Sequence, residues 1–215
     1  GPGIRTTVFF KGCPLQCRWC ANPESQNRYA AIADAIEDET YCGRDYTVEQ
    51  VMIQGRKDKP FYDQSGGGMT LSGGEVLQQM TFAVDLCSAA HGEGIHVAAE
   101  TTGYAAPQQF RSFLDHVDLL LYDFKHYDRA LHYANTGVYN DAILENLRQA
   151  VTAKIPVIAR IPVIPEFNTG LSTARHMAQM LADWGIREVH LLPFHQFGEK
   201  KYQQLGVPYE MEGVK

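Results

Sequence analysis

The sequence has no long apolar run, few basic residues and few cysteines. None of its 215 residues belongs to an apolar stretch of the roughly 20 residues that a membrane-spanning helix needs, and no signal-peptide pattern opens it. Lysine and arginine number 19 against 25 aspartate and glutamate, and the resulting net charge of −6 argues against a nucleic-acid-binding surface. These absences favour a globular protein that binds neither membranes nor nucleic acids.

The five cysteines are too few, and too unevenly spread, to form a disulfide framework. This usage fits a reducing compartment, so the cytoplasm is the expected location. Three of the cysteines, Cys13, Cys17 and Cys20, follow the spacing C-x3-C-x2-C, and no second pair completes a structural zinc site. A four-iron cluster held by these three thiolates would keep one iron open for a further ligand. We interpret the motif as a 4Fe-4S cluster site; zinc, a disulfide and unreacted thiols are the alternatives.

Six β-rich runs alternate with helical patterns along the chain. The strands are predicted at residues 6–12, 69–72, 96–100, 117–124, 157–164 and 188–193, and the helices near 47–58, 76–91, 107–115, 139–153 and 172–184. Continuous apolar strands that alternate with helices indicate a parallel sheet with both faces covered. Right-handed crossovers would curl six such units into an open barrel or a doubly wound sheet.

Polar residues recur where these strands end. They are Cys13, the run from Ser72 to Glu75, Glu100 with Thr101, Asp123 with Lys125, Arg160 and His195. In parallel α/β folds the carboxyl ends of the strands form the edge where active sites lie. The sequence therefore predicts a single active site at this edge.

Motifs along nearly the whole chain resemble those of a known family. They are Gly3-Ile4-Arg5-Thr6, Trp19-Cys20-Ala21-Asn22-Pro23-Glu24-Ser25, Ser72-Gly73-Gly74-Glu75, Glu100-Thr101-Thr102-Gly103, Asp123-Phe124-Lys125, Arg160 and Leu192-Pro193-Phe194-His195. Together with the cysteine loop they resemble the radical S-adenosylmethionine (SAM) enzymes that activate glycyl radical enzymes, the pyruvate formate-lyase activase-like family. The resemblance implies a partial six-stranded parallel (β/α)6 barrel, with residues 1–215 as a single domain.

The resemblance also implies a reaction. A reduced 4Fe-4S cluster would cleave SAM to a 5′-deoxyadenosyl radical, which would remove a hydrogen atom from a glycine of a partner glycyl radical enzyme. A flavodoxin or ferredoxin would donate the electron. One alternative is a radical SAM enzyme that acts on a small molecule; another, from a different class, is an electron-transfer or structural metal protein.

The same resemblance assigns SAM-binding residues, each with a structural alternative. Gly73, Gly74 and Glu75 match the segment that binds the methionyl amino group, because glycines permit close backbone approach and a carboxylate accepts from an ammonium. Their alternative role is a tight turn after a strand. Asp123 and Thr101 match a monovalent-cation site, in which an aspartate of the best-known relative is replaced here by a glutamate, Glu100.

Five further residues match family positions around the cofactor. Lys125 and Arg160 match contacts to the cofactor or substrate; their alternative is a salt bridge across the barrel mouth, because an unpaired charge there would be costly. His195 matches a histidine at the ribose. Trp19 is expected to pack against the adenine side of the cluster loop, and Asn22 to bond the loop or the cofactor.

One departure from the family pattern concerns chain organisation. The Asn-Pro-Glu-Ser sequence at 22–25 is typical of activases with a ferredoxin-like insert that carries further cluster-binding cysteines. Only about 20 residues separate it from Tyr46, with Cys42 as their one cysteine. We expect such an insert to be missing near residues 26–42, and the chain to be truncated at both ends.

Overall fold

A computed structural model, which describes residues 1–27 and 43–214, contains one sheet of six parallel strands. The strands are β1 (Arg5–Phe10), β2 (Gly68–Gly73), β3 (His96–Thr101), β4 (Leu119–Asp123), β5 (Val157–Val163) and β6 (Glu188–Pro193). The helices are α1 (Val48–Lys57), α2 (Lys59–Ser65), α3 (Met80–Gly92), α4 (Pro107–Leu114), α5 (Arg129–Thr136), α6 (Asp141–Thr152), α7 (Leu171–Asp183) and α8 (Glu199–Leu205). The predicted α/β class is confirmed.

The order of the strands decides between the two predicted architectures. Each strand pairs with its neighbour in sequence, from β1 to β6, and the order never reverses. A doubly wound sheet requires such a reversal, so the chain is wound in one direction as a barrel. Among the described residues no hydrogen-bonded pair joins β6 to β1, which makes the barrel a partial one.

The central strands are buried on both faces, as expected for parallel strands between helices and a barrel interior. In β4, Leu120 and Tyr122 belong to the large core under the helices, whereas Leu119 and Leu121 form a small inner cluster with Ala98 and Ile158. This alternation follows from the two-residue period of a strand. It also directs Asp123, two residues beyond Leu121, to the inner side at the open end of the barrel.

Three helices were not predicted, although the sequence carries end signals for two of them. In α5, the Asp128 side chain accepts a hydrogen bond from the Leu131 backbone at 2.8 Å, and Gly137 closes the helix with φ of 78°. In α2, Pro60 stands in the first turn and Gly66 ends the helix in the left-handed region. Short helices with few apolar residues give too weak a period for recognition.

The structure describes little of the predicted insertion region. This region, apart from Gln26 and Asn27, lies outside the described residues, as does Cys42. None of the helices that the structure describes is both long enough and apolar enough to cross a membrane.

A buried histidine in α5 makes the fold sensitive to acid. His132 is 1% exposed, and its Nδ1 lies 2.8 Å from the Val138 carbonyl oxygen. Its Nε2 is buried and has no hydrogen-bond partner within the part of the chain that the structure describes. Burial lowers the pKa of His132 from 6.5 to about 4.

We therefore expect the free energy of unfolding to fall as the pH drops from 6.5 to about 4, the interval in which the unfolded chain binds a proton that folded His132 does not. The loss attributable to this histidine reaches about 3 kcal/mol at the acid end. Urea unfolding at a series of pH values measures it. The His132→Gln variant should lose less stability than the wild type over this interval; parallel curves would contradict the assignment.

Candidate active site

The three clustered cysteines lie on a loop that leaves the carboxyl end of β1 and is fixed by its backbone. The Gly12 amide donates to the Ser25 carbonyl at 2.7 Å, and the Cys13 amide donates to the Gln26 carbonyl at 3.0 Å. On the other side, the Gln16 amide donates to the Thr136 carbonyl at 2.7 Å, at the end of α5. The loop is therefore held between the segment that follows it and a neighbouring helix, as a preformed ligand loop needs.

The thiols of this loop are free and strongly influenced by their surroundings. Burial raises the pKa of Cys13 to about 12, with the nearby Glu75 carboxylate adding to the effect. Burial likewise raises the pKa of Cys17 to about 12, against the attraction of the Lys125 ammonium. Without metal these thiols are protonated near neutral pH. Cluster binding therefore has to displace protons, and a positive charge nearby favours the thiolate form.

The three thiols lie close to one another but form no single-ion site among the described residues. Four thiolates around one zinc, at about 2.3 Å from it, must approach one another to within about 4 Å. Among the described residues no group of three or more His, Cys, Asp or Glu side chains could hold one metal ion. Yet Cys17 and its two partners are close enough to affect one another's charge. Three neighbouring thiols would suit a 4Fe-4S cluster, in which one iron would remain for a further ligand.

The Gly73-Gly74-Glu75 turn at the end of β2 lies directly against the cysteine loop. The Gly74 amide donates to the Phe10 carbonyl at 2.8 Å, and the Glu75 amide donates to the Gly12 carbonyl at 2.7 Å. A Cβ added at Gly74 would lie 2.4 Å from the Gly12 carbonyl oxygen. Gly73 has φ of 104°, a backbone conformation that residues with a Cβ rarely adopt. The tight-turn alternative thus accounts for both glycines, and their SAM contact stays a prediction.

The Glu75 carboxylate points into the protein and is fully buried. Oε1 accepts from the Thr101 hydroxyl at 2.5 Å and from the Leu77 amide at 3.2 Å. Oε2 accepts from the amide and the hydroxyl of Thr102 at 2.8 and 2.6 Å. Burial raises the pKa of Glu75, against the effect of these hydrogen bonds. The carboxylate joins the ends of β2 and β3, and its predicted contact with the amino group of SAM remains untested.

Four charged side chains meet at the carboxyl ends of β3 and β4, and one of them, Arg160, lies in the middle of β5 rather than at its predicted end. Arg160 forms a salt bridge with Glu100 and lies 3.7 Å from Asp123, measured from Nε to Oδ1. Lys125 forms a second salt bridge with Asp123, at 3.1 Å between Nζ and Oδ2. The other Glu100 oxygen accepts a hydrogen bond from Ser72. The salt-bridge alternative proposed for Lys125 and Arg160 is thus realised in the structure, which leaves their contacts with SAM as predictions.

The predicted monovalent-cation site does not fit these contacts. Both oxygens of Glu100 are engaged, by Arg160 and Ser72, and Asp123 faces Lys125 and Arg160. The Thr101 hydroxyl donates to Glu75. A small cation needs oxygen ligands with uncompensated negative charge, and these oxygens already face two cationic side chains.

Three of the predicted residues are not part of this charged group and contact other side chains. Trp19 stacks on Phe167, with ring centroids 4.9 Å apart. Asn22 Oδ1 accepts a hydrogen bond from Lys201 at 2.8 Å. His195 is exposed and stacks on Phe197, with ring centroids 4.2 Å apart. The structure gives these three residues packing partners, and their contacts with SAM stay predictions.

Comparison with known proteins agrees with this site. Residues 7–191 match the Radical SAM superfamily. The chain belongs to the radical SAM superfamily. Members of the superfamily use a 4Fe-4S cluster and SAM, and the C-x3-C-x2-C spacing of Cys13, Cys17 and Cys20 fits such a cluster. The three thiols just described fit that cluster.

Curated relatives of this radical SAM protein are activating enzymes. It is 36% identical to a choline trimethylamine-lyase activating enzyme of Oleidesulfovibrio alaskensis, over 99% of this chain and 85% of the relative. It is 37% identical to pyruvate formate-lyase 2-activating enzyme of Escherichia coli, over 100% of this chain and 80% of the relative. The protein is therefore a member of the glycyl-radical-enzyme activating family.

Solved structures support the radical SAM fold. A domain of a pyruvate-formate lyase-activating enzyme from Bacteroides vulgatus is 30% identical, with a TM-score of 0.56 over 65% of this chain and 93% of that chain. Streptococcus suis SuiB bound to its precursor peptide SuiA has a TM-score of 0.71 at 10% identity, over 95% of this chain and 44% of that chain. The second likeness concerns the fold alone.

The sequence did not reveal two side chains that support the radical SAM site. Lys201, in α8, bridges Asn22 and Glu24, at 2.8 Å to Asn22 Oδ1 and 2.7 Å to Glu24 Oε1. Thr102 supplies two of the four hydrogen bonds to Glu75. Thr102 lies within the Glu100-Thr101-Thr102-Gly103 motif, so the sequence could have identified it as a site residue. No sequence pattern could have identified Lys201, because it lies 177 residues from Glu24 in the chain.

Proposed function

We propose that this protein uses SAM to generate a glycyl radical on a partner enzyme. The observation that carries the proposal is the loop of three free thiols at the same barrel edge as the buried Glu75 and the charged group around Arg160. Family membership and curated relatives named as activating enzymes support it. When bound, the reduced cluster and SAM supply a 5′-deoxyadenosyl radical that abstracts the glycine hydrogen.

The chain's own residues have separate tasks in this proposal. Cys13, Cys17 and Cys20 would hold the 4Fe-4S cluster. The Glu75 side chain fixes the turn at the end of β2, so that the backbone of Gly73 and Gly74 approaches both the cluster loop and the cofactor. Such positioning by rigid elements keeps the reacting groups in register.

We also propose the placement of the remaining cofactor contacts. Lys125 and Arg160 would donate hydrogen bonds to the carboxylate of SAM. Trp19 and Asn22, on the cluster loop, border the adenosyl group, and His195 approaches its ribose. The burial of Lys125, at 6% exposure, helps to keep water from the reacting centre.

The partners follow from the same proposal. The glycine lies on a loop of a glycyl radical enzyme, which enters through the open side of the partial barrel. A flavodoxin or ferredoxin supplies the electron in the cytoplasm, and neither nucleic acid nor membrane takes part.

We propose that residues 1–215 form a single radical SAM domain. The alignment with the choline trimethylamine-lyase activating enzyme extends over 264 residues, more than the 215 of this chain, so that relative carries a segment that this chain lacks. The alignment with a Clostridium pasteurianum pyruvate formate-lyase-activating enzyme extends over 215 residues at 33% identity. These lengths support the absence of an insert, which we place near residues 26–42.

Electron paramagnetic resonance tests the proposed function. The protein is reconstituted anaerobically with iron and sulfide, reduced, and mixed with SAM and candidate glycyl radical enzymes. We expect 5′-deoxyadenosine to form and a glycyl doublet to appear on one partner, and to disappear when the partner's radical glycine is replaced by alanine. SAM cleavage without a radical on any candidate would favour the alternative of a small-molecule substrate. Absence of SAM cleavage would contradict both.

A further inference from the structure

The charged group at the barrel mouth is electrically balanced. It contains two carboxylates, Glu100 and Asp123, and two cations, Lys125 and Arg160. The side chains of the Arg160–Glu100 pair are 22% and 30% exposed, so solvent screens their interaction only partly. A balanced, partly buried group offers no net attraction to a further cation.

We propose that the Arg160 guanidinium occupies the place between Glu100 and Asp123 that a monovalent cation would otherwise take, so that this protein binds no Na⁺ or K⁺ there. Arg160 is thereby a positioning residue. The inference concerns the carboxylates themselves and does not depend on which partner enzyme is activated.

Strand geometry explains how one arginine reaches both carboxylates. Asp123 and Arg160 are register partners on the adjacent strands β4 and β5. Glu100 lies on β3, so its contact with Arg160 crosses over β4, a span of two strand spacings or about 10 Å. Two long side chains can close this span, and a glutamate reaches one methylene further than an aspartate. The presence of glutamate at position 100 is therefore matched to the arginine at position 160.

The chemistry of arginine suits this role. The guanidinium is always charged and directs several N–H groups outward in a fixed plane. Here Nη1 faces Glu100 and Nε faces Asp123, so the two contacts use different edges of the planar guanidinium. Removal of this charge would leave two carboxylates with Lys125 as the one cation in contact with them among the described residues. That imbalance would create a cation site.

Sodium-23 NMR on the cofactor-free protein tests the proposal, with tetramethylammonium chloride as the background salt. In the wild type we expect no K⁺-reversible broadening of the Na⁺ line. In Arg160→Met we expect the Na⁺ line to broaden clearly and added K⁺ to reverse the broadening. The control is Arg129→Met, which breaks the exposed Arg129–Asp141 pair, and it should behave as the wild type. Broadening by wild-type protein that Glu100→Gln abolishes would overturn the proposal, even if Arg160→Met does not fold.

SAM affinity gives a second measurement on the cluster-loaded protein. When Na⁺ or K⁺ replaces tetramethylammonium at constant ionic strength, the Kd of the wild type should change by less than about two-fold. In Arg160→Met it should change by at least about five-fold. Folded Arg160→Met that shows no cation dependence in either measurement would also overturn the proposal. If the NMR results are as expected but the cluster-loaded wild type does not bind SAM, the proposed function is contradicted instead.

Discussion

Replacing Cys17 with alanine should remove the iron–sulfur cluster and abolish SAM cleavage. The thiol is free and lies on the loop that follows β1, and its two partners alone provide too few thiolates to retain a cubane. We expect iron to fall from about four per chain to below about one after anaerobic reconstitution. The rate of 5′-deoxyadenosine formation should drop by at least about 100-fold.

Cys87 provides a matched control for this experiment. It is also a free cysteine, but it is buried in α3 within the large core. Cys87→Ala should cost about 1 kcal/mol of stability by creating a small cavity, and should retain the full iron content. If Cys17→Ala retained iron and activity, the ligands would have been misassigned. Loss of the cluster in Cys87→Ala would show that iron retention reports on stability rather than ligation.

Replacing Gly74 with alanine should have the second largest effect. The added Cβ would lie 2.4 Å from the Gly12 carbonyl oxygen and 2.9 Å from the Ser25 carbonyl oxygen, both of which are backbone atoms. Neither can move without displacing the loop that carries the thiols. We expect a loss of about 3 kcal/mol in the free energy of unfolding, because rigid overpacking is relieved only by backbone shifts. Cluster incorporation should fall with it.

The control is Gly92→Ala, the same substitution at the last residue of α3, where an added Cβ meets no atom within 4 Å. Alanine there should leave stability unchanged or raise it by up to about 1 kcal/mol, because glycine is a poor helix former. Urea unfolding and iron analysis of both variants provide the comparison. Equal unfolding midpoints for the two variants would mean that the turn does not press against the cysteine loop.

The effect at Gly74 also separates two explanations of a glycine motif. The sequence allowed either cofactor approach or a tight turn. The structure supplies a sufficient reason in the turn itself, since the successive amides of Gly74 and Glu75 donate to the carbonyls of Phe10 and Gly12, between the end of β1 and the cysteine loop. A glycine in a recognised motif can therefore be required before any ligand binds.

Fold class and the cluster motif could be read from the sequence because both are local patterns. Alternating apolar runs and helical periods predicted six strands within a few residues of their bounds, and the spacing of Cys13, Cys17 and Cys20 predicted a 4Fe-4S site, which fits the radical SAM superfamily. Even the edge that carries the site followed from where polar residues stand after each strand. None of these conclusions requires information on which strands are neighbours in the sheet.

Only the tertiary structure decided which charges meet. Glu75 and Glu100 are both strand-end carboxylates in the sequence, yet Glu75 turns inward to Thr101 and Thr102, whereas Glu100 crosses β4 to Arg160. The choice depends on strand order, register and the curvature of the sheet, which relate residues far apart in the chain. The sequence thus determined a cluster-binding barrel, and the fold alone determined how the charges at its mouth are neutralised.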